Sequence, residues 1–325
     1  MLYPLLFREN LHEIVWGGSR LKALKGLPAD GKNIGESWEI SAVRGSESVV
    51  KNGPLAGRSL QALVEEFGAE LMGRHIAEAH GTEFPLLVKF IDAAGDLSIQ
   101  VHPNDELARA RHGKLGKTEM WYVMDARPNA TLLAGFSKEI RPEEYAAKVA
   151  DGSIVDALAR HHVHPGDVFF IPAGRVHAIC RGILLCEIQQ SSDVTYRLYD
   201  YNRLGLDGKP RQLHTEEARD AIDYKVYKDY RTHYKPVHEG AVRIVDCPFF
   251  VVNVISTSSS LCRNLMEEDS FVTLSCLSGA CTVTAGGVSV SLGTGSSCLI
   301  PAAVADFEIR AFDGREVRLL ESWSR

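Results

Sequence analysis

No stretch of this chain approaches the roughly 20 apolar residues that span a bilayer. The N-terminal MLYPLLFRENLHEIVWGG also lacks the basic start, long apolar core and small-residue cleavage site of a secretory leader. Basic excess is missing too: 36 Lys and Arg stand against 42 Asp and Glu, a formal net charge of -6. That balance argues against nucleic acid as a partner, because phosphate backbones are met by basic surfaces, although local basic residues can still bind a small anion. Cysteine is sparse and unpatterned. Cys180, Cys186, Cys247, Cys262, Cys276, Cys281 and Cys298 are odd in number, lie in strand-like apolar contexts and form no CxxC pair. They read as buried reduced thiols. Together these absences predict a cytoplasmic protein with no membrane and no nucleic-acid partner, and no feature specifies an oligomeric state.

What is present is an ordinary globular composition, 45% hydrophobic and 24% charged over 325 residues, enough for two packed units. Residues 1–57 alternate short apolar runs with Gly, Pro and Asn, as strands and loops do. Within them GESWEIS places Glu36, Trp38 and Ile40 on one strand face. Leu60, Leu63, Val64 and Phe67 then fall at helical spacing behind Ser59, a candidate N-cap, and a second amphipathic run reaches His80. FPLLVKFIDA reads as a central strand whose Lys89 needs an anionic partner or a polar cavity. Residues 141–160 read as helical behind Pro142. In DVTYRLYDY the alternation puts Asp193, Thr195, Arg197 and Tyr199 on one face. A short helix is expected near Thr215–Ile222. Beyond about residue 240 helical periodicity vanishes, and strands are expected near 249–256, 270–277, 281–285, 297–300 and 317–322.

Two clusters carry chemistry. In SIQVHP, Gln100 and His102 stand at i and i+2 of a strand and so face one side. Glu119 follows in GKTEMW, and GDVFFIPAGRVH ends on His177 after a Pro-x-Gly turn. Gln100, His102, Glu119 and His177 form a candidate metal site with room for water or substrate. Zinc accepts such nitrogen and oxygen ligands, and two histidines with one carboxylate suit Fe(II) as well. The segment GSSCLIPAAVAD from Gly295 repeats the spacing of GDVFFIPAGRVH with Asp306 in place of His177, so only the first copy is armed for metal.

The G(x)5PxGxxH pattern resembles the second motif of cupins. More specifically, GESWEIS, FPLLVKFIDA, LSIQVHP, GKTEMWYV, PAGRVHAI and SSDVTYRLYDYNR are similar, in that order, to the short bacterial form of type I phosphomannose isomerases. The resemblance runs from Trp16 to about Tyr224, and the C-terminal third matches as a second cupin fold. It implies a mainly β protein of two cupin-type jelly-roll barrels with a few short helices outside. Residues 1–240 would be the catalytic domain, with helical insertions near 58–80 and 141–160, and residues 241–325 a metal-free domain. It further implies one Zn2+ per chain on Gln100, His102, Glu119 and His177, and conversion of mannose 6-phosphate to fructose 6-phosphate, and back, through a cis-enediol. Arg197 matches the family's active-site arginine, Asp193, Lys89 and Lys117 match polar residues lining the cavity, and Trp16 and Glu36 resemble its wall. By charge alone Arg197 suits stabilisation of an enediolate. The base is then Asp193 or a Lys117 of lowered pKa, and Lys89, Lys117 and Ser98 are candidates for the phosphate. An ion pair of Arg197 with Asp193 or Asp200 is the structural alternative for that residue. A cupin Fe(II) oxygenase and a non-enzymatic sugar-phosphate-binding cupin are the competing functions.

Overall fold

The computed structural model describes residues 2–325. Two β-sandwich barrels dominate it, and every strand pair between their elements is antiparallel. The first barrel sets a seven-stranded sheet against a five-stranded one. The larger runs Arg231–Thr232, Val168–Ile171, Glu119–Ala126, Ile183–Gln190, Leu86–Ala93, Ile34–Ile40, Leu11–Gly18. The smaller runs Tyr196–Tyr199, Ile99–Val101, His177–Ile179, Thr131–Phe136, Leu158–His162. In the second barrel a six-stranded sheet contains Ser297–Ile300, Val272–Ser278, Val317–Ser324, Phe250–Thr257 and Gly240–Asp246. Its other edge is Leu5–Leu6, from the start of the chain. Four strands, Ser260–Asn264, Asp306–Ala311, Ala280–Ala285 and Val288–Gly293, close it.

The two large sheets pack back to back. Val88, Phe90, Cys186 and Ile188 from the first barrel share one apolar cluster with Phe250, Val252, Val254 and Leu320 from the second. This explains the unbroken apolar run of Leu86–Ala93, buried at all eight positions. One face meets the second barrel and the other lines the interior of the first, so strict alternation of polar and apolar residues is not required.

Leu60–Phe67 is a helix as expected. The Ser59 hydroxyl accepts from the Ala62 N–H, and Leu60, Leu63 and Val64 are buried. With Ala69–Met72 and Arg74–His80 it packs into the inter-barrel cluster, where Phe84 and Phe271 lie 4.5 Å apart. Among the described residues no helix is long and apolar enough to cross a membrane.

Several elements differ from the sequence expectation. The helix from Pro142 stops at Ala150, because Gly152 adopts a left-handed φ of 78°. A 3-10 turn follows, and Leu158 already begins a strand. Asp105–His112 is a helix although only Ala108 is buried in it; Asn104 caps it by accepting from Leu107 N–H, and Gly113 ends it in left-handed geometry. Ile40 does not share a face with Glu36 and Trp38. A bulge between Trp38 and Ile40 turns Ile40 beside Val88 in the inter-barrel cluster. Six cysteines are buried, but Cys262 is exposed, since Ser260, Cys262 and Asn264 form the outward row of their strand.

Candidate active site

Strand register brings the chemistry together. Across the five-stranded sheet Arg197 stands opposite Gln100 and Gln100 opposite His177, so the three form one row. On the facing sheet a second row runs Trp38, Lys89, Glu187, Trp121. Glu119 is two pairs along, opposite Gln189. Between the rows lies a cavity of about 180 Å3, whose wall includes Trp16, Glu36, Lys89, Ser98, Gln100, Lys117, His177, Glu187, Asp193, Arg197 and Arg211.

His102, Glu119 and His177 offer ligand atoms all within 4.8 Å of one another, and all three side chains are buried. Glu119 Oε1 lies 3.3 Å from His177 Nε2 and its Oε2 lies 3.4 Å from His102 Nε2. Each imidazole is oriented by its other nitrogen: His102 Nδ1 donates to the Val194 carbonyl at 2.9 Å and His177 Nδ1 to the Arg175 carbonyl at 2.8 Å. That leaves both Nε2 atoms unprotonated and aimed inward, as metal ligation needs. Gln100 stands beside them, its amide Nε2 3.3 Å from His177 Nε2 and its Oε1 accepting from Ser98 Oγ at 3.3 Å; turned over, the same amide would present its oxygen as a neutral ligand.

The residues fit a divalent cation on a separate ground. Both oxygens of Glu119 are buried and lack a hydrogen-bond partner, an arrangement costly for a carboxylate unless a cation takes them up. Lys117 Nζ, 3.0 Å from Glu119 Oε2 and 3.0 Å from His102 Nε2, pairs with one carboxylate oxygen and leaves Oε1 facing His177 Nε2.

Electrostatics follow from burial and these neighbours. Burial works to raise the Glu119 pKa, but the Lys117 charge beside it wins and holds the carboxyl well below its usual range. Burial and the Lys117 charge push His102 down to about 3, and burial lowers His177. Lys117 is raised, because Glu119 and Glu187 overcome burial, so the lowered value expected for a lysine base is not found. Glu187 is raised, first by burial and then by Glu119.

The remaining expected residues divide between interior and rim. Lys89 meets both of its anticipated surroundings: it lines the cavity, lies 3.3 Å from Glu36 and 3.6 Å from Glu187, and stands 4.6 Å over the Trp38 ring. Ser98 Oγ accepts from Arg197 Nε at 3.3 Å and lies 3.3 Å from Gln100 Oε1. Arg197 pairs with neither Asp193 nor Asp200 among the described residues; its Nη1 donates to the Gln212 carbonyl at 2.9 Å. Asp193 sits at the rim, 40% exposed and paired with Lys114 at 2.5 Å. Trp16 and Glu36 are wall residues.

Sequence reasoning passed over Glu187, Trp121 and Arg211. Glu187 left the same signal as Lys89, a lone charge inside the apolar run GILLCEIQQ. Its Oε2 accepts from Trp121 Nε1 at 2.8 Å, while Oε1 is buried without a hydrogen-bond partner.

Comparison with known proteins agrees with this geometry. The model for the catalytic domain of type I phosphomannose isomerase matches residues 5–134, and the mannose-6-phosphate isomerase cupin-domain model matches residues 242–319. The probable mannose-6-phosphate isomerase GmuF of Bacillus subtilis is 35% identical over 95% of this chain and 96% of its own. The chain belongs to the type I phosphomannose isomerase family. Mannose-6-phosphate isomerase ManA of the same organism is 34% identical over 95% of this chain and 96% of its own. A crystal structure of a Bacillus subtilis mannose 6-phosphate isomerase superposes with a TM-score of 0.88 at 32% identity, covering 99% of both chains. The sheets of this family member form two barrels, and among the described residues the ligand cluster lies in the first.

Proposed function

We propose that the protein interconverts mannose 6-phosphate and fructose 6-phosphate through a cis-enediol, with one Zn2+ held by His102, Glu119, His177 and the Gln100 carbonyl oxygen. The observation that carries this reading is the buried, unsatisfied Glu119 between two inward-facing Nε2 atoms, set in a polar cavity with Arg197. Bound there, zinc supplies positive charge that polarises a sugar oxygen.

The chain's own residues account for the rest. Isomerisation moves one proton between C2 and C1, which a single base on one face of the sugar carries through the cis-enediol, and a second proton between the C2 and C1 oxygens. Glu187 suits that role, because it lines the cavity, its Oε1 has no hydrogen-bond partner and only Lys89 Nζ 3.6 Å away, and burial raises its pKa above the ordinary carboxylate range. Lys117 stands beside the ligand cluster, and a cation on Glu119 would offset that carboxylate and bring Lys117 down, which makes it the second candidate to shuttle a proton. Asp193, exposed and paired with Lys114, is the weaker base. Arg197, always charged, steadies the oxyanion as it forms. Lys89 holds Glu36 and Glu187 in the wall, and Trp16 and Trp38 flank the sugar.

Metal analysis coupled to an assay of fructose 6-phosphate formation tests this. The expected result is activity that chelation removes and zinc restores, with His102→Ala and His177→Ala losing both metal and turnover. Full activity in metal-free protein, or a metal-loaded protein that leaves mannose 6-phosphate unchanged, would sink the proposal.

A further inference from the structure

After Tyr199 the chain leaves the sheet in a loop that returns beside Arg197, where His214 N–H donates to the Arg197 carbonyl at 2.8 Å. Tyr201 and Asn202 are both left-handed, with φ of 56° and 53°, so a sharp turn fixes the residue before them. That residue, Asp200, is buried and receives two guanidinium groups. Arg211 donates to it through Nε at 2.7 Å and Nη2 at 2.6 Å, and Arg203 through Nε at 3.0 Å and Nη2 at 2.8 Å. Of the two arginines, only Arg211 lines the active-site cavity.

A guanidinium carries five N–H donors in a fixed fork. Asp200 takes one edge of Arg211, and no other hydrogen bond engages the opposite edge among the described residues. The other cations of the cavity are differently placed. Lys89 is neutralised by Glu36 and Glu187, and Lys117 by Glu119. Arg197 is tied to Ser98, next to Gln100 and the metal ligands. Arg211 hydrogen-bonds only to Asp200 among the described residues, contacts none of the metal-ligand candidates, and is partly open to solvent at 22% side-chain exposure.

We propose that the free edge of Arg211 binds the phosphate of the substrate, and that Asp200 is a positioning residue that aims it. The inference rests on the isomerase reading above and adds the residue that discriminates phosphorylated from free sugar. Bidentate capture by a guanidinium already locked on its other edge loses little side-chain freedom on binding. Arg203 acts as the second tether of Asp200 and does not itself touch the phosphate.

Calorimetric titration of glucitol 6-phosphate and of glucitol into the metal-loaded protein separates this from the chemistry, because neither compound isomerises. Arg211→Ala should weaken glucitol 6-phosphate about 10- to 100-fold, the range expected for a charge-assisted pair, and leave glucitol as it is. Steady-state assays should show the loss in KM for mannose 6-phosphate, with kcat within about threefold of wild type. Arg211→Lys should recover part of the affinity. Asp200→Asn should weaken the phosphate ligand less than Arg211→Ala, and the double variant should be no weaker than Arg211→Ala alone, as a residue acting through Arg211 requires. Unchanged binding in Arg211→Ala, equal losses for both ligands, or a larger loss in Arg203→Ala would overturn the anchor, and additive losses in the double variant would overturn the role of Asp200. Glucitol 6-phosphate bound through Arg211 by a wild-type protein that shows no turnover would sink the isomerase reading and uphold this one.

Discussion

An ammonium inside an apolar strand is among the more informative single residues a sequence can offer. Lys89 had to find a carboxylate or a cavity, and it finds both. The same reasoning applies to Glu187, whose strand reads as apolar on either side, yet the partner of a buried charge lies on a neighbouring strand that spacing cannot choose. The clustering of His102, Glu119 and His177 was legible because i and i+2 positions and a Pro-x-Gly turn constrain direction locally. Arg211 was not, because its place in the cavity depends on how a loop returns. Arg197 shows where residue-level reading must yield to geometry: two acidic neighbours in sequence suggested an ion pair, but the side chain points to Ser98 and Gln212. We therefore expect Arg197→Ala to lower kcat by about 10² or more, as removal of a charge-stabilising donor does, with metal content unchanged. A kcat close to wild type in a metal-loaded variant would remove Arg197 from the chemistry.

At the scale of elements, the repeat noticed in sequence extends into three dimensions. Val168–Ile171 and Ser297–Ile300 are matching strands, and His177 and Asp306 each open the strand that follows. The copy continues where the sequences no longer resemble each other. Glu187 pairs in register with Lys89 in the first barrel, and Glu321 pairs in register with Asn253 in the second. Glu321 is fully buried, held by Arg263 through two bonds of 2.9 and 2.8 Å and by Asn253 at 2.7 Å. A carboxylate that faces a cavity in one barrel is satisfied internally in the other. Strands such as Ser260–Asn264 escaped notice because their apolar residues are too few to show a period, whereas Leu60–Phe67 announced itself through both spacing and cap. Arg263→Ala leaves Glu321 buried with Asn253 alone and should destabilise the protein by roughly 3–5 kcal/mol, the cost of breaking a buried pair on one side. Chemical denaturation would measure it, and a change below about 1 kcal/mol would mean that the cluster relaxes to water, as exposed pairs do.

For the whole molecule, the apolar cluster between the large sheets matters more than either barrel interior. It draws Leu2, Tyr3, Leu5 and Phe7 from the start of the chain, Leu60 to Ile76 from the helices, and Phe250, Phe271, Leu299 and Leu320 from the C-terminal third. Leu5–Leu6 even completes the sheet of the second barrel, pairing Leu5 with Leu299 and Leu6 with Cys298. No periodicity in sequence foretells such a return, because strand pairing between distant segments is decided by the surface each leaves uncovered. A division near residue 240 thus cuts through shared core. Truncation there would strip the outer face of the strand Leu86–Ala93 and leave Leu5–Leu6 unpaired, exposing a contiguous apolar surface and an open sheet edge. Residues 1–239 expressed alone should therefore be insoluble or aggregate on concentration, although every ligand of the metal cluster is present. The full chain should bind one metal, since Asp306 is exposed and the only cluster of three or more ligand side chains among the described residues is His102, Glu119 and His177. A soluble, monomeric, metal-loaded fragment ending at residue 239 would show that the second barrel is dispensable to the first, and two tightly bound metals per full chain would show that the copied barrel has kept a site of its own.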